Sequence, residues 1–297
     1  MPVVYRNQTE KSIVLLCKLS KTTRLRYGYS PSMKPDEFSK QFLLINKPAG
    51  WTSFDVVNYV RKKVGASTVI PVKTGIQTLD SRLRGNDNRR KRPKVGHAGT
   101  LDPFATGLLI VGIGREATKR LDEFKKLPKT YVATLHLGAV SDTYDVTGKI
   151  RNMIHDTRKT IHNNNETAKQ WSNEKPNEKQ ILFTLESFKG KQLQTPPMHS
   201  AKKVGGVRLY KLARQGKEIE REAVPIEMYD IKLLEYEWPR LKIEVTCSAG
   251  TYIRSLANDI GEKLGVGAYC EALTRTKIGD YTLEQAHELA AVDRLFS

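Results

Sequence analysis

Cysteine is scarce in this chain, with only Cys17, Cys247 and Cys270 among 297 residues. An odd count without paired or metal-ligand spacing supplies neither a disulfide framework nor a Cys-based zinc site, and it favours a reducing compartment. Long apolar runs are missing as well. The run Ile13–Cys17 is too short for a signal-peptide core, and nothing approaches the roughly 20 apolar residues of a membrane span. A cytoplasmic protein without a membrane partner is the reading that follows. There is no G-x-x-x-x-G-K-[ST] phosphate loop and no tight dinucleotide fingerprint. The stretch D-T-Y-D-V-T-G at 142–148 lacks the ladder and terminal glutamate of a calcium loop, so Asp142 and Asp145 read as turn residues. No metal is expected.

Acidic residues are outnumbered, 32 against 50 Lys and Arg, for a net charge of +18. Such a surplus suits a polyanion, because cations that neutralise phosphates release condensed counterions. The charge is uneven. Residues 1–39 carry seven Lys/Arg against three acids, and residues 65–96 carry eight against two. The remainder stays basic, which makes nucleic acid the favoured partner.

Periodic structure begins near Gln41. The stretch F-L-L-I at 42–45 reads as a buried strand ending in a Pro-Gly turn, after which Thr52 or Ser53 can cap a helix carrying Phe54, Val57 and Val60 on one face. Residues 1–40 read as an N-terminal extension, either disordered or a misassigned start, since Met33 lies just upstream. Residues 66–94 read as an inserted basic loop and 155–180 as a flexible, Asn- and Lys-rich loop. Strands are expected over Gly107–Gly112, Tyr131–Leu137 and 240–247. A helix follows Gly250, with Ile253, Leu256, Ala257, Ile260 and Leu264 at helical spacing. Strands and helices without a regular βαβ rhythm predict an α+β domain over 41–297, with a mixed, mostly antiparallel central sheet flanked by helices.

Two strings carry Thr-Leu-Asp among glycines: G-I-Q-T-L-D-S at 75–81 and G-H-A-G-T-L-D-P at 96–103. In the second, proline biases Asp102 toward extended geometry and a strand follows, so a carboxylate stands on a rigid turn at a strand mouth, suited to a nucleophile. Asp-Pro is also a common turn opener, and His97 could serve acid–base work, stacking or hydrogen bonding. Asp80, without the histidine or the proline, reads as a solvated turn residue. Residues 192–217 interleave bases with aromatics and glycines. There Lys203, Arg208 and Arg214 could follow a phosphate backbone and Tyr210 could stack, or the stretch could be a solvated basic helix with Leu209 and Leu212 turned inward. Tyr252 and Arg254 flank Ile253 and point off the helix's core face.

These strings together resemble the TruB family of tRNA pseudouridine-55 synthases. The matches are Lys47-Pro48-x-Gly50-Trp51-Thr52-Ser53, Gly96-His97-x-Gly99-Thr100-Leu101-Asp102-Pro103, Lys129-Thr130-Tyr131, Gln194-x-Pro196-Pro197-Met198, Tyr210-x-x-Ala213-Arg214-x-Gly216 and Cys247-Ser248-x-Gly250-Thr251-Tyr252-Ile253-Arg254. The resemblance implies the pseudouridine synthase fold with an RNA-clasping insertion, and cofactor-free isomerisation of a uridine in the T-loop of tRNA. It implies Asp102 as nucleophile, His97 filling the place of the flipped nucleotide, and Tyr131 stacking on uracil near the C5 proton. Arg254 would pair with Asp102, Tyr252 and Leu273 would line the pocket, and Lys47 and Pro48 would shape it from below. The family usually has tyrosine where His199 stands and leucine where Lys202 stands. Bacterial members commonly add a PUA-type RNA-binding domain, which is not expected here. The expected partner is the tRNA T-arm, with a monomer and no obligatory protein partner. A non-catalytic tRNA-binding or folding module is the second reading.

Overall fold

The structure, a computed structural model, describes residues 41–66, 93–153, 171–172, 174–200, 203–204, 207–209, 215–216 and 219–296. In chain order come β1 (Phe42–Lys47), α1 (Ser53–Ala66), β2 (Val95–Ala98), β3 (Thr106–Ile113), α2 (Arg115–Lys125), β4 (Lys129–Leu137), β5 (Ala139–Ser141) and β6 (Ile150–Asn152). There follow α3 (Glu178–Glu186), β7 (Gly190–Gln194), β8 (Lys203–Val204), β9 (Val207–Arg208), β10 (Val224–Glu237), β11 (Arg240–Cys247) and α4 (Ile253–Lys263). The last elements are β12 (Ala268–Ile278), β13 (Tyr281–Thr282), β14 (His287–Glu288) and the short α5 (Val292–Leu295).

Ten strands form one sheet in the order β14-β1-β3-β12-β4-β11-β10-β7, with β2 on β3 and β13 on β12. Most pairs are antiparallel; β1–β14 and β3–β12 are parallel. The mixed α+β architecture is the one the sequence pattern predicts. Strand β3 is buried from Gly107 to Gly112 because apolar layers cover both of its faces. Phe124 and Leu121 of α2 meet Leu108 and Ile110 on one side, while Val56, Val57 and Val60 of α1 meet Leu109 and Val111 on the other. In the β4–β11–β10 half, alternate residues such as Ala133, Leu135, Ile243 and Val245 face α3 and α4. Burying each valine or leucine side chain contributes up to about 1.5–3 kcal/mol.

Within the sheet, β3 and β12 join the two halves through two residue pairs among the described residues, Thr274 opposite Thr106 and Arg275 opposite Gly107. Gly107 has φ +105°, and a β-carbon there would lie 2.4 Å from the Arg275 carbonyl oxygen. Backbone against backbone cannot yield as a flexible side chain would. Gly107→Ala is therefore expected to destabilise the fold by about 3 kcal/mol or more, read as a lowered denaturation midpoint. A wild-type midpoint would show that the seam can open.

Residues 287–296 return to the first half. His287 and Glu288 pair with Ile45 and Asn46, and Asp293 accepts from the Tyr59 hydroxyl at 2.5 Å and pairs with Lys63 at 3.0 Å. The expected basic helix across 192–217 is corrected in part: β8 and β9 form a hairpin, Lys203 opposite Arg208. Extended pairing of β8 with β9 takes the place of helical hydrogen bonds there. Leu209 is buried, as expected of a core-facing residue. Tyr210, Leu212, Arg214 and Asp80 lie outside the described residues. Among the described residues, no helix is long and apolar enough to cross a membrane.

Candidate active site

The segment between β2 and β3 is fastened from three directions. Thr52 caps α1, exchanging hydrogen bonds with Asp55 at 2.6–3.0 Å. That frees Ser53, whose hydroxyl accepts from Leu101 N at 2.8 Å and donates to Leu101 O at 3.2 Å. From below, the buried Lys47 donates to the carbonyls of Pro48 at 2.8 Å, Trp51 at 2.7 Å and Pro103 at 3.4 Å. Burial lowers the Lys47 ammonium to about 8, with the Asp102 charge opposing the shift. From β12, the buried Arg275 donates to Gly99 O at 3.1 Å and to Leu108 O at 2.8 Å. Asp102 is thus carried on a loop with little freedom to move.

The Asp102 carboxylate meets Arg254 of α4, Nε to Oδ2 at 2.9 Å and Nη2 to Oδ1 at 3.3 Å. The rest of the fork is also engaged. Nη1 donates to Thr143 O at 3.0 Å and lies 3.2 Å from Asp145 Oδ2, and Nη2 donates to His199 O at 2.8 Å. The Arg254 side chain is 3% exposed and that of Asp145 is 5%, whereas Asp102 keeps 35% open. One carboxylate is buried as an anchor and the other looks into a cavity. Burial pushes the Asp102 carboxyl above its ordinary value. The Arg254 guanidinium pulls it back, Asp145 adds to the rise, and Lys47 helps to lower it.

Asp145 corrects the reading of 142–148. It is a turn residue in that Oδ1 accepts from Thr143 Oγ1, Thr147 N and Thr147 Oγ1 at 2.5–2.9 Å. Its other oxygen nevertheless serves Arg254. Asp142 accepts from Lys149 N at 2.9 Å, a local turn contact. Sequence reasoning missed Asp145, Arg275 and the bridging role of Ser53. The one signal for Arg275 is a cation at an inward-facing position of the alternating strand A-L-T-R-T.

The cavity above Asp102 has a volume of about 340 Å³ and is lined by Tyr131, Tyr252, Arg254, Leu273 and Arg275 among others. Burial raises the Tyr131 phenol, and Arg275 beside it opposes that rise. Lys129 lines the cavity too, its ammonium on the carbonyls that end α2, Phe124 O at 3.3 Å, Leu127 O at 2.5 Å and Lys125 O. Burial lowers it to about 8. His97 stands on β2, ahead of Gly99 of the cavity lining, its Nδ1 buried and without a hydrogen bond among the described residues. Burial, helped by Arg275 and Lys125, lowers His97 to about 4, so its ring is neutral at physiological pH. The structure thus brings Asp102, Tyr131, Tyr252, Arg254 and Leu273 together, with Lys47 and Pro48 beneath. Lys203 and Arg208 lie across the separate hairpin. Among the described residues, no group of three His, Cys, Asp or Glu side chains could hold a metal ion.

Two family models match consecutive stretches of the chain. The TruB family pseudouridylate synthase N-terminal domain matches residues 88–253, and the tRNA pseudouridylate synthase B C-terminal domain matches residues 254–296. The chain is similar to the tRNA pseudouridine synthase B of Protochlamydia amoebophila, 40% identical over 250 residues that cover 84% of this chain and 78% of the relative. It is also similar to that of Parabacteroides distasonis, 39% identical over 258 residues that cover 87% and 94%. Among solved structures it resembles a Cbf5-Nop10-Gar1 complex, with a TM-score of 0.54 and 25% identity over 85% of this chain. An H/ACA RNP bound to a substrate RNA containing 2'-deoxyuridine gives a TM-score of 0.53 at 24% identity over 85%, a likeness of fold. The chain spans about half of those two chains, 54% and 52%. Matches running from residue 88 to 296, on a sheet that seats Asp102 against Arg254, fix the assignment: the chain belongs to the TruB family and is a pseudouridine synthase.

Proposed function

We propose that this enzyme converts a uridine in the T-loop of tRNA, position 55, to pseudouridine, with Asp102 as nucleophile and without a cofactor. The observation that carries this reading is one half-open carboxylate at the floor of the cavity, held bidentate by a buried arginine. Support for tRNA comes from the relatives named tRNA pseudouridine synthase B and from the +18 charge.

The isomerisation balances without an external oxidant or reductant. The N1–C1' bond breaks, C5–C1' forms, the C5 proton leaves and N1 gains one. As the glycosidic bond breaks, the sugar carbon becomes cationic, and an aspartate facing it acts as a glycosidase carboxylate does. Arg254 favours the ionised, attacking form of Asp102 by charge and by two hydrogen bonds. Reaching Asp102 requires the uridine to leave its stack, at a cost of a few kcal/mol. His97, neutral at physiological pH, fills the vacated space without placing a cation among bases. Tyr131 stacks on the uracil, and Arg275 eases its acceptance of the C5 proton. Tyr252 and Leu273 close the walls, while Lys203, Arg208 and Arg214 follow the RNA backbone and Tyr210 stacks. The protein works as a monomer in the cytoplasm.

The test is incubation of purified protein with unmodified tRNA transcript, followed by chemical-adduct mapping of pseudouridine. One modified uridine, in the T-loop, is the expected result. Binding without any modification would favour the folding-module reading.

A further inference from the structure

Gln194 is the last residue of β7 and is buried. Its Nε2 donates to Tyr252 O at 3.0 Å, and its Oε1 accepts from Tyr252 N at 2.8 Å. One carboxamide answers both polar groups of one backbone unit, as a neighbouring strand would. A flipped amide would place like against like at both contacts, so the orientation is fixed by its partners. Tyr252 is the N-cap of α4 and is extended (φ −100°, ψ 108°), with no side chain capping the helix. The place where α4 begins is therefore set largely by Gln194. Two residues on, Arg254 needs directional accuracy to keep both bonds to Asp102. Further contacts join the segment after β7 to the same helical turn: Ser255 Oγ donates to Thr195 O at 3.0 Å, and Arg254 Nη2 reaches His199 O at 2.8 Å.

We propose that Gln194 is a positioning residue, fixing the first turn of α4 and through it the aim of Arg254 at Asp102. The inference rests on the reading of Asp102 as nucleophile. Gln194 neither contacts Asp102 nor lines the cavity, and it reaches the site through the backbone of Tyr252 and so through Arg254. The groups facing Asp102 are Arg254 from α4, Asp145 from the loop after β5 and Lys47 from β1, with Tyr131 of β4 and Cys270 of β12 behind them. Loosening Arg254 weakens the principal cation while Asp145 still repels. The Asp102 carboxyl then holds its proton to higher pH.

The experiment compares wild type, Gln194→Ala and Gln194→Met, which keeps the length but loses both hydrogen bonds, with Arg254→Lys alone and combined with each. Folded fraction is checked by circular dichroism and melting, and kcat is measured against pH with tRNA transcript. The Gln194 variants are expected to lose about 100-fold in kcat, as misplacement by an ångström does. The acid limb of kcat is expected to move up by about 1 pH unit, and tRNA affinity to stay within about twofold. In the Arg254→Lys background the further loss is expected to be much smaller, because the two changes act through one contact. A folded Gln194 variant with wild-type kcat, an unmoved acid limb, or full additivity with Arg254→Lys overturns the inference. An Asp102→Asn arm separates the two readings: activity there overturns the nucleophile assignment, whereas its loss leaves Gln194 to be judged on the other arms.

Discussion

Asp102→Asn is expected to lower turnover by about 10⁴-fold or more while the folded variant still binds tRNA. Asparagine keeps the shape and can accept a hydrogen bond from Arg254, so the loop pinned by Ser53, Lys47 and Arg275 should hold. What disappears is the negative oxygen facing the sugar. Single-turnover assays with saturating enzyme separate this from a binding defect, and filter binding checks affinity directly. Near-wild-type single-turnover rates would remove Asp102 from the chemistry.

Arg254→Ala is the second large effect, and it reaches both activity and stability. The substitution leaves Asp102 and the 5%-exposed Asp145 without their shared cation. Breaking a buried ion pair by removing one partner costs about 3–5 kcal/mol, because the remaining charge stays desolvated. The pH dependence carries a sign. Asp102 already lies above its ordinary value through burial, and losing Arg254 raises it further. A carboxyl raised in the folded state binds its proton more tightly there than in the unfolded chain. The stability deficit should thus be largest at neutral and alkaline pH and shrink on acidification, as the raised carboxyl takes up its proton. Urea denaturation at two pH values checks this, and a deficit that deepens on acidification would show the carboxylates are not the cause. Turnover should be lost together with stability, since Lys47 alone then favours the ionised carboxylate and no hydrogen bond from Arg254 aims it.

Much of this was legible in the sequence, for identifiable reasons. Strands β1, β3 and β11 carry their burial in their own residues, and Pro103 and Gly99 mark the loop that holds Asp102. The pairing of Asp102 with Arg254 spans 152 positions and could be read only from the family resemblance. Asp145 stayed hidden because a carboxylate with two oxygens can serve its own turn with one and a distant arginine with the other. Arg275 looks like any polar residue of an alternating strand until β3 is laid beside β12. Gln194 stands in a recognisable string, but the string does not say that its amide clasps the backbone of residue 252.

The return of residues 287–296 to β1 and α1 bears on how the chain is made. Strand β1 leaves the ribosome early, yet its outer edge waits for β14, more than two hundred residues later. Throughout that interval the nascent chain presents a template for pairing with another strand. A product cut short before His287 would keep every catalytic side chain but carry that edge open for life. Loss of the last dozen residues should therefore show first as aggregation and proteolysis, before any defect of chemistry is seen.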